Sequence, residues 1–293
     1  MLTNRLDIAG EEIRLDGIAV VNGCQSLLAL HRLQAAITPE LRVLVKVVRV
    51  QPDSALTDKV TYRSNNQNPV DIRDQRSTDP IQRDLQAQVK ASYGGELWFG
   101  IRAGEPVARG LAILDNQSAA QLILALYRGE PWNAVRKVRL FDEDYRRIFN
   151  RDINAHRLYL LHRIRIVVDA AREELDGELQ ASFAAVRLTI AHCAGLVLKQ
   201  SALGTQLLET PERWLPDLNQ AVDQALSRTV SEIIDSVNFF VGQERKERGD
   251  EYDPKVAFKS RDGVDRVARE VVRDARRHAE RDKASVFDVA PVR

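Results

Sequence analysis

Apolar and polar positions change rhythm partway along the chain. Before Tyr93, short strand-like and helix-like segments alternate. After a glycine-rich patch, Tyr93 to Gly110 (YGGELWFGIRAGEPVARG), nearly every segment reads as helix. The predicted class is α+β: a small mixed α/β region over 1–92, a hairpin or irregular crossing over 93–113, and an α-helical domain over 114–293. Trp98 and Phe99 are the expected anchors of the crossing. Leu15 to Val21 (LDGIAVV) predicts a strand, with few residues ahead of it to supply neighbours. Either its sheet borrows an edge or the amino-terminal portion of a larger unit is absent. Val43 to Val50 (VLVKVVRV) is the next apolar stretch.

Helix punctuation is clearer. Asp79 is a candidate N-cap, with Pro80 at the first helical position, Gln82 at the capping-box position, and Ile81, Leu85 and Val89 on one face. The mixed charges of Arg73, Asp74 and Arg76 suit a salt-bridge patch. Asn116 is the expected cap of a helix whose stripe is Ala119, Leu122, Ile123 and Leu126, stopped by Gly129. In Leu140 to Phe149 (LFDEDYRRIF), Leu140, Phe141, Tyr145, Ile148 and Phe149 are anchors, and Asp142, Glu143 and Asp144 complement a helix amino end. Asp265 to Lys283 predicts a charged helix with Val267, Val271 and Val272 on one stripe. Its interspersed acids favour a solvated or partner-facing helix, while Arg269, Arg273, Arg276 and Arg277 form a cluster able to meet phosphate.

Composition narrows the function. The chain has 293 residues, 43 basic and 42 acidic side chains and a formal net charge of +1, so no overall field draws it to nucleic acid or an anionic membrane. Leu122 to Leu126 (LILAL) is far too short to span a bilayer, and no membrane association is expected. Two cysteines, Cys24 and Cys193, without CxxC spacing, read as a reducing cytoplasm. The five histidines lack HExxH or zinc spacing and read as surface or satisfied-core residues. No metal site is expected, and no GxSxG, Walker A or GxGxxG motif occurs.

Two polar segments carry the candidate chemistry. Val20 to Arg32 (VVNGCQSLLALHR) reads as a strand end, a glycine turn and a helix start, which leaves backbone N–H groups free to meet an anion. Asn22 caps, Gly23 permits the turn, Gln25 and Ser26 add hydrogen bonds to phosphate or ribose, and Arg32 lies two turns on. Tyr62 to Asp71 (YRSNNQNPVD) sets Asn65, Asn66 and Gln67 before Pro69. Adjacent carboxamides fill an apolar interior poorly and hydrogen-bond phosphate, sugar or base edges well. A capped helix packed on a strand, and a solvent-facing helix exit, account for the same residues without a ligand.

VVNGCQSLLAL, YRSNNQNPVDIRD, STDPIQRDLQ and LFDEDYRRIF resemble, in that order, the bacterial abortive-infection phage-resistance family, AIPR. The likeness runs from about Leu15 to about Ile166, roughly half the chain. Members carry a longer portion ahead of the glycine motif, with an aromatic-rich NNG strand not found here. They have Thr where this chain has Ser26, which keeps the hydroxyl, and a tyrosine- and lysine-rich segment where this chain has Tyr93 and GGELWFG. The glycine turn with a distant Asn/Gln motif is also similar to the phosphate-binding plan of the ParB and sulfiredoxin superfamily. By that likeness Gly23, Gln25 and Ser26 face phosphates and Asn65, Asn66 and Gln67 close the other side.

The resemblance implies a cytoplasmic phage-defence component that binds a nucleotide, with magnesium as its companion ion, or a nucleic-acid phosphate, and signals through its helices. A defence-system protein or a second copy of the chain is the implied partner. Two alternatives stand beside it. One is a nucleotide hydrolase or metal-dependent nuclease, with Gln67 or Asp71 orienting water and no general base of fixed geometry identified. The other is a noncatalytic assembly module.

Overall fold

The computed structural model describes residues 2–10, 12–18, 20, 27, 30–34, 37–38, 41–49, 69–102, 104–215 and 217–282. The chain forms two compact units, Met1–Ile72 and Arg73–Arg293. A small mixed α/β region comes first and a long, mainly helical region follows.

In the first unit, β2 (Arg5–Ala9) and β3 (Glu12–Asp16) pair antiparallel, with Leu6 opposite Leu15 and Ile8 opposite Ile13. The alternation of apolar and charged residues in RLDIA and EIRLD is a two-residue period, and Gly10 (φ +60°) lets the chain reverse between them. This corrects the strand expected over Leu15 to Val21. The strand ends at Asp16 because Gly17 adopts a left-handed conformation (φ +63°), and its sheet neighbour comes from the very residues ahead of it. A Cβ on Gly17 would lie 2.4 Å from Asn4 Nδ2, so only glycine allows that approach. The buried Thr3 hydroxyl sits 2.7 Å from the Asp16 carbonyl oxygen and secures the same corner.

β1 (Leu2–Thr3) pairs parallel with β4 (Val48–Arg49). Of the described residues in the apolar run Val43 to Val50, Val48 and Arg49 are in a strand, opposite Leu2 and Thr3. Leu41, Val43, Leu44 and Val45 are exposed.

α1 (Pro69–Arg76) leads into the second unit, where α2 (Pro80–Tyr93) buries Gln82, Leu85, Val89 and Tyr93. Asp79 caps α2 by accepting from the Ile81 amide at 3.0 Å, and Pro80 occupies the first turn, where its missing N–H costs nothing. The capping box does not close. The Asp79 amide already bonds the Arg76 carbonyl at 3.0 Å, and Gln82 turns inward. β5 (Leu97–Gly100) and β6 (Ala112–Asp115) run parallel, in register Leu97 to Ala112 and Phe99 to Leu114, so the segment after Tyr93 is a crossing rather than a hairpin. Phe99 is fully buried there, and Trp98 is half-buried with its indole N–H 3.3 Å from Glu105.

α3 (Asn116–Leu122) follows β6 at once. Its N-cap is Asp115 rather than Asn116, whose side chain is buried as the first helical residue. α3 continues into a wide i→i+5 turn, Ile123–Tyr127, and Gly129 (φ +70°) ends it. Three short helices follow: α4 (Pro131–Ala134), α5 (Lys137–Leu140) and α6 (Tyr145–Ile148). Leu140, Phe141, Tyr145, Ile148 and Phe149 are all buried, and Glu143 and Asp144 pair with Arg139 and Arg147.

The described residues beyond 154 are mainly helical: α7 (Ala155–Ala170), α8 (Gly177–Ala181), α9 (Phe183–Leu198), α10 (Ala202–Glu209), α11 (Asn219–Arg248), α12 (Pro254–Ala257) and α13 (Arg261–Asp282). α9 is apolar on nearly every side because neighbours surround it, α7, α11 and α13 among them. Gly195 lets Leu126 close on it, since a Cβ there would lie 3.2 Å from Leu126 Cγ. α11 keeps Val222, Leu226, Val230, Ile233, Val237 and Val241 on one stripe, and places Arg245, Lys246 and Arg248 at its carboxyl end, where the helix dipole favours cations. Glu244, almost fully buried, is paired with Arg266 and lies 3.4 Å from Arg248, which fixes α13 against α11.

Candidate functional site

Of the residues expected to face a phosphate, Asn22, Gly23, Gln25, Ser26, Asn65, Asn66 and Gln67 lie outside the described residues. Arg32 is exposed at the end of a short helical turn, and Asp71 is on α1, its side chain outside the described set. What the structure does place is the far end of the segment that carries the Asn/Gln run. Pro69, two residues past Gln67, opens α1, and the last turns of α1 are fixed by two arginines.

Arg73 donates through Nε to Asn116 Oδ1 at 2.5 Å, and its Nη2 lies 3.2 Å from Asp115 Oδ1. Asn116, fully buried, donates Nδ2 to the Ile101 carbonyl at 3.0 Å and lies 3.5 Å from Gln82 Oε1. Asp115 accepts from the Gln117 and Ser118 amides at 3.1 and 3.2 Å and from the Ser118 hydroxyl at 2.7 Å. Burial pushes this carboxyl up, but the Ser118 hydrogen bonds and the Arg73 charge outweigh it and hold the group below its ordinary value. Arg76 donates to the Phe141 carbonyl at 2.9 Å and stacks over Tyr145, 4.4 Å from its centroid. The expected salt-bridge patch is thus real at Arg73, and it is a buried hub joining α1, α2, β5, β6 and α3.

A second polar cluster was not foreseen. Tyr93 stacks on Tyr159 (centroids 4.0 Å, interplanar angle 3°), and its hydroxyl lies 2.6 Å from His156 Nδ1. Tyr159 hydrogen-bonds Glu96 and accepts from Asn219 at 3.0 Å, beside the Arg163–Asp223 ion pair. The signal in the sequence is the spacing of His156, Tyr159 and Arg163, which shares one face of α7. Burial first, then the Glu96 carboxylate, pushes the Tyr159 phenol up to about 12, and Tyr93 is raised for the same leading reason. Both hydroxyls stay protonated near neutrality, and their hydrogen bonds tie α2 and α7 together.

The histidines separate further. His192 Nδ1 meets the Ala125 carbonyl at 3.1 Å, and burial lowers its pKa. His162 is buried, with Nδ1 unpartnered among the described residues, and burial, then Arg165 and Arg163, bring it down to about 4. Its folded value lies below the unfolded one, so this contribution to stability is complete above the ordinary value of 6.5 and is lost as pH falls toward 4. Chemical denaturation should show the protein losing on the order of 2 kcal/mol more than His162→Gln between about pH 7 and about pH 5. Parallel curves would contradict a neutral buried His162. Burial also pushes the Cys193 thiol up to about 12, which makes it inert at neutral pH.

A third feature is an open cleft of about 920 Å³ walled by Trp132, His192 and the arginine-bearing face of α13. Among the described residues no group of three His, Cys, Asp or Glu side chains could hold a metal ion, and no helix is long and apolar enough to cross a membrane.

The model of a family described as AIPR protein matches residues 4–238. No curated protein and no solved structure matches the chain.

Proposed function

The chain belongs to the AIPR (abortive infection phage resistance) family, and from that membership we propose that it is a phage-defence component that binds a phosphorylated ligand, a nucleotide or a nucleic-acid phosphate, and passes occupancy into its helical region. The ligand sits against Asn22, Gly23, Gln25 and Ser26 on one side and Asn65, Asn66 and Gln67 on the other, with Arg32 and Asp71 flanking. That is the plan of the ParB and sulfiredoxin likeness.

The observation that carries the signalling half is the hub at Arg73. Gln67 lies two residues from the start of α1, and midway along α1 the Arg73 guanidinium is held between Asn116 and Asp115. A rotation of α1 that carries Arg73 away would break its 2.5 Å hydrogen bond to a fully buried amide, and we propose that the hub alternates between this joined state and an opened one. Ligand contacts that differ between those states shift the balance between them.

The test separates binding from transmission. Gly23→Ala, Ser26→Ala, Asn66→Ala and Gln67→Ala, each shown to be folded, should weaken ligand binding by about tenfold or more. Arg73→Leu should leave binding within about threefold and abolish the ligand-dependent change in amide exchange over 112–122. Unchanged binding in all four variants would remove the proposed site.

A further inference from the structure

The arginine-lined cleft shares no residue with the proposed amino-terminal ligand site. Gly129, where a Cβ would lie 3.6 Å from His192 Cε1, lines the cleft together with His192 and Leu196 of α9. One wall is Trp132, half-buried, with the Arg261 guanidinium 5.7 Å from its ring centroid. The other is the exposed face of α13.

The charges of that face are unequal in availability. Arg273 is paired with Glu270, Arg277 lies 3.7 Å from Asp274, and Arg261 lies 3.7 Å from Asp265. Arg269 bonds only its own helix, through the Asp265 carbonyl at 3.2 Å, and Arg276 meets the neutral Gln200 Oε1 at 2.9 Å. No described carboxylate neutralises either. They stand seven residues apart on one face, about 10 Å along the axis. Asp262, Asp265 and Glu280 also line the cleft, so its field is short-ranged and acts on a ligand already in contact.

We propose that this cleft binds single-stranded nucleic acid: Arg269 and Arg276 each take a backbone phosphate, and Trp132 is the platform on which a base stacks. Two available cations beside a half-buried indole, whose ring Arg261 also approaches, are the elements of single-strand recognition, in which stacking supplies sequence-tolerant affinity and arginines track the backbone. A duplex keeps its bases stacked within and offers Trp132 nothing. The cleft is open along α13, which suits an extended strand better than a mononucleotide.

The test is fluorescence anisotropy of the full chain with labelled oligothymidylate and oligouridylate, the matching duplex, and inorganic triphosphate as competitor. Single strands of either sugar should bind at least about tenfold tighter than duplex. Between about 50 and about 200 mM salt, the slope of log affinity on log salt should be near −1.4, the value for two phosphates on a single strand. Arg269→Ala/Arg276→Ala and Trp132→Leu, each confirmed folded by circular dichroism and an unshifted melting temperature, should each weaken binding by about tenfold, and Trp132→Leu should spare competition by triphosphate. Single-strand binding that survives Ser26→Ala and Asn66→Ala but not the cleft variants supports this site even if the amino-terminal ligand site fails. Preference for duplex, a slope steeper than about −3, or full affinity in Trp132→Leu would overturn it.

Discussion

Phe99→Ala is expected to lower stability by about 3–5 kcal/mol, the cost of emptying a fully buried aromatic site that its surroundings refill only in part. Phe99 sits on β5, its carbonyl accepts from Gln86 Nε2 of α2 at 2.8 Å, and β6 covers it in parallel register through Leu114. A two-stranded parallel sheet is weak alone, so packing against α2 holds it in place. For a unit of this size the loss corresponds to a fall in melting temperature of about 10 °C. Trp98→Ala, on the neighbouring half-buried position, should cost much less, since its indole N–H is 3.3 Å from Glu105 and its ring is partly in water. Equal losses at the two positions would mean the core does not lie where Phe99 points.

Asn116→Leu is the second large effect, expected at about 3 kcal/mol although leucine is of similar size and more apolar. The substitution strands the Ile101 carbonyl, the Gln82 side-chain oxygen and one donor of Arg73 in a region with little access to water. Adding Arg73→Leu should recover part of the loss, because a hub with both partners removed leaves fewer unmet groups than one with a single partner removed. The double-mutant cycle should therefore show coupling of about 1–3 kcal/mol. Additive losses would show that Arg73 and Asn116 do not act together, and would take the signalling half of the proposed function with them.

The two positions mark where sequence was informative. Phe99 was legible as an anchor because an aromatic residue in a short apolar segment between glycines has few alternatives to burial. Asp79 and Pro80 were legible because a cap and a first-turn proline act on residues two or three away, and LFDEDYRRIF because its five anchors are apolar wherever they fall. Asn116 was not: by type it belongs at a helix cap, but Asp115 had already taken the Gln117 and Ser118 amides, which left Asn116 to satisfy partners distant in sequence. Gln82 leaves the capping-box pattern for the same reason, since the Asp79 amide already donates to the Arg76 carbonyl. The first strand was placed too far along because hydrophobicity carried the reading past Gly17, whose backbone conformation ended the pairing. The candidate site itself rested on residue types that suit phosphate, and the described residues reach it only through Arg32 and the backbone of α1.

Titration calorimetry of the purified chain with nucleoside triphosphates and short nucleic acids, with and without magnesium, addresses the central claim most directly. The account predicts a saturable ligand whose binding is weakened by Ser26→Ala and Asn66→Ala. In folded protein that also carries Arg269→Ala and Arg276→Ala, so that the cleft does not contribute, binding of none of these ligands, or binding of one with both variants unaffected, would contradict it.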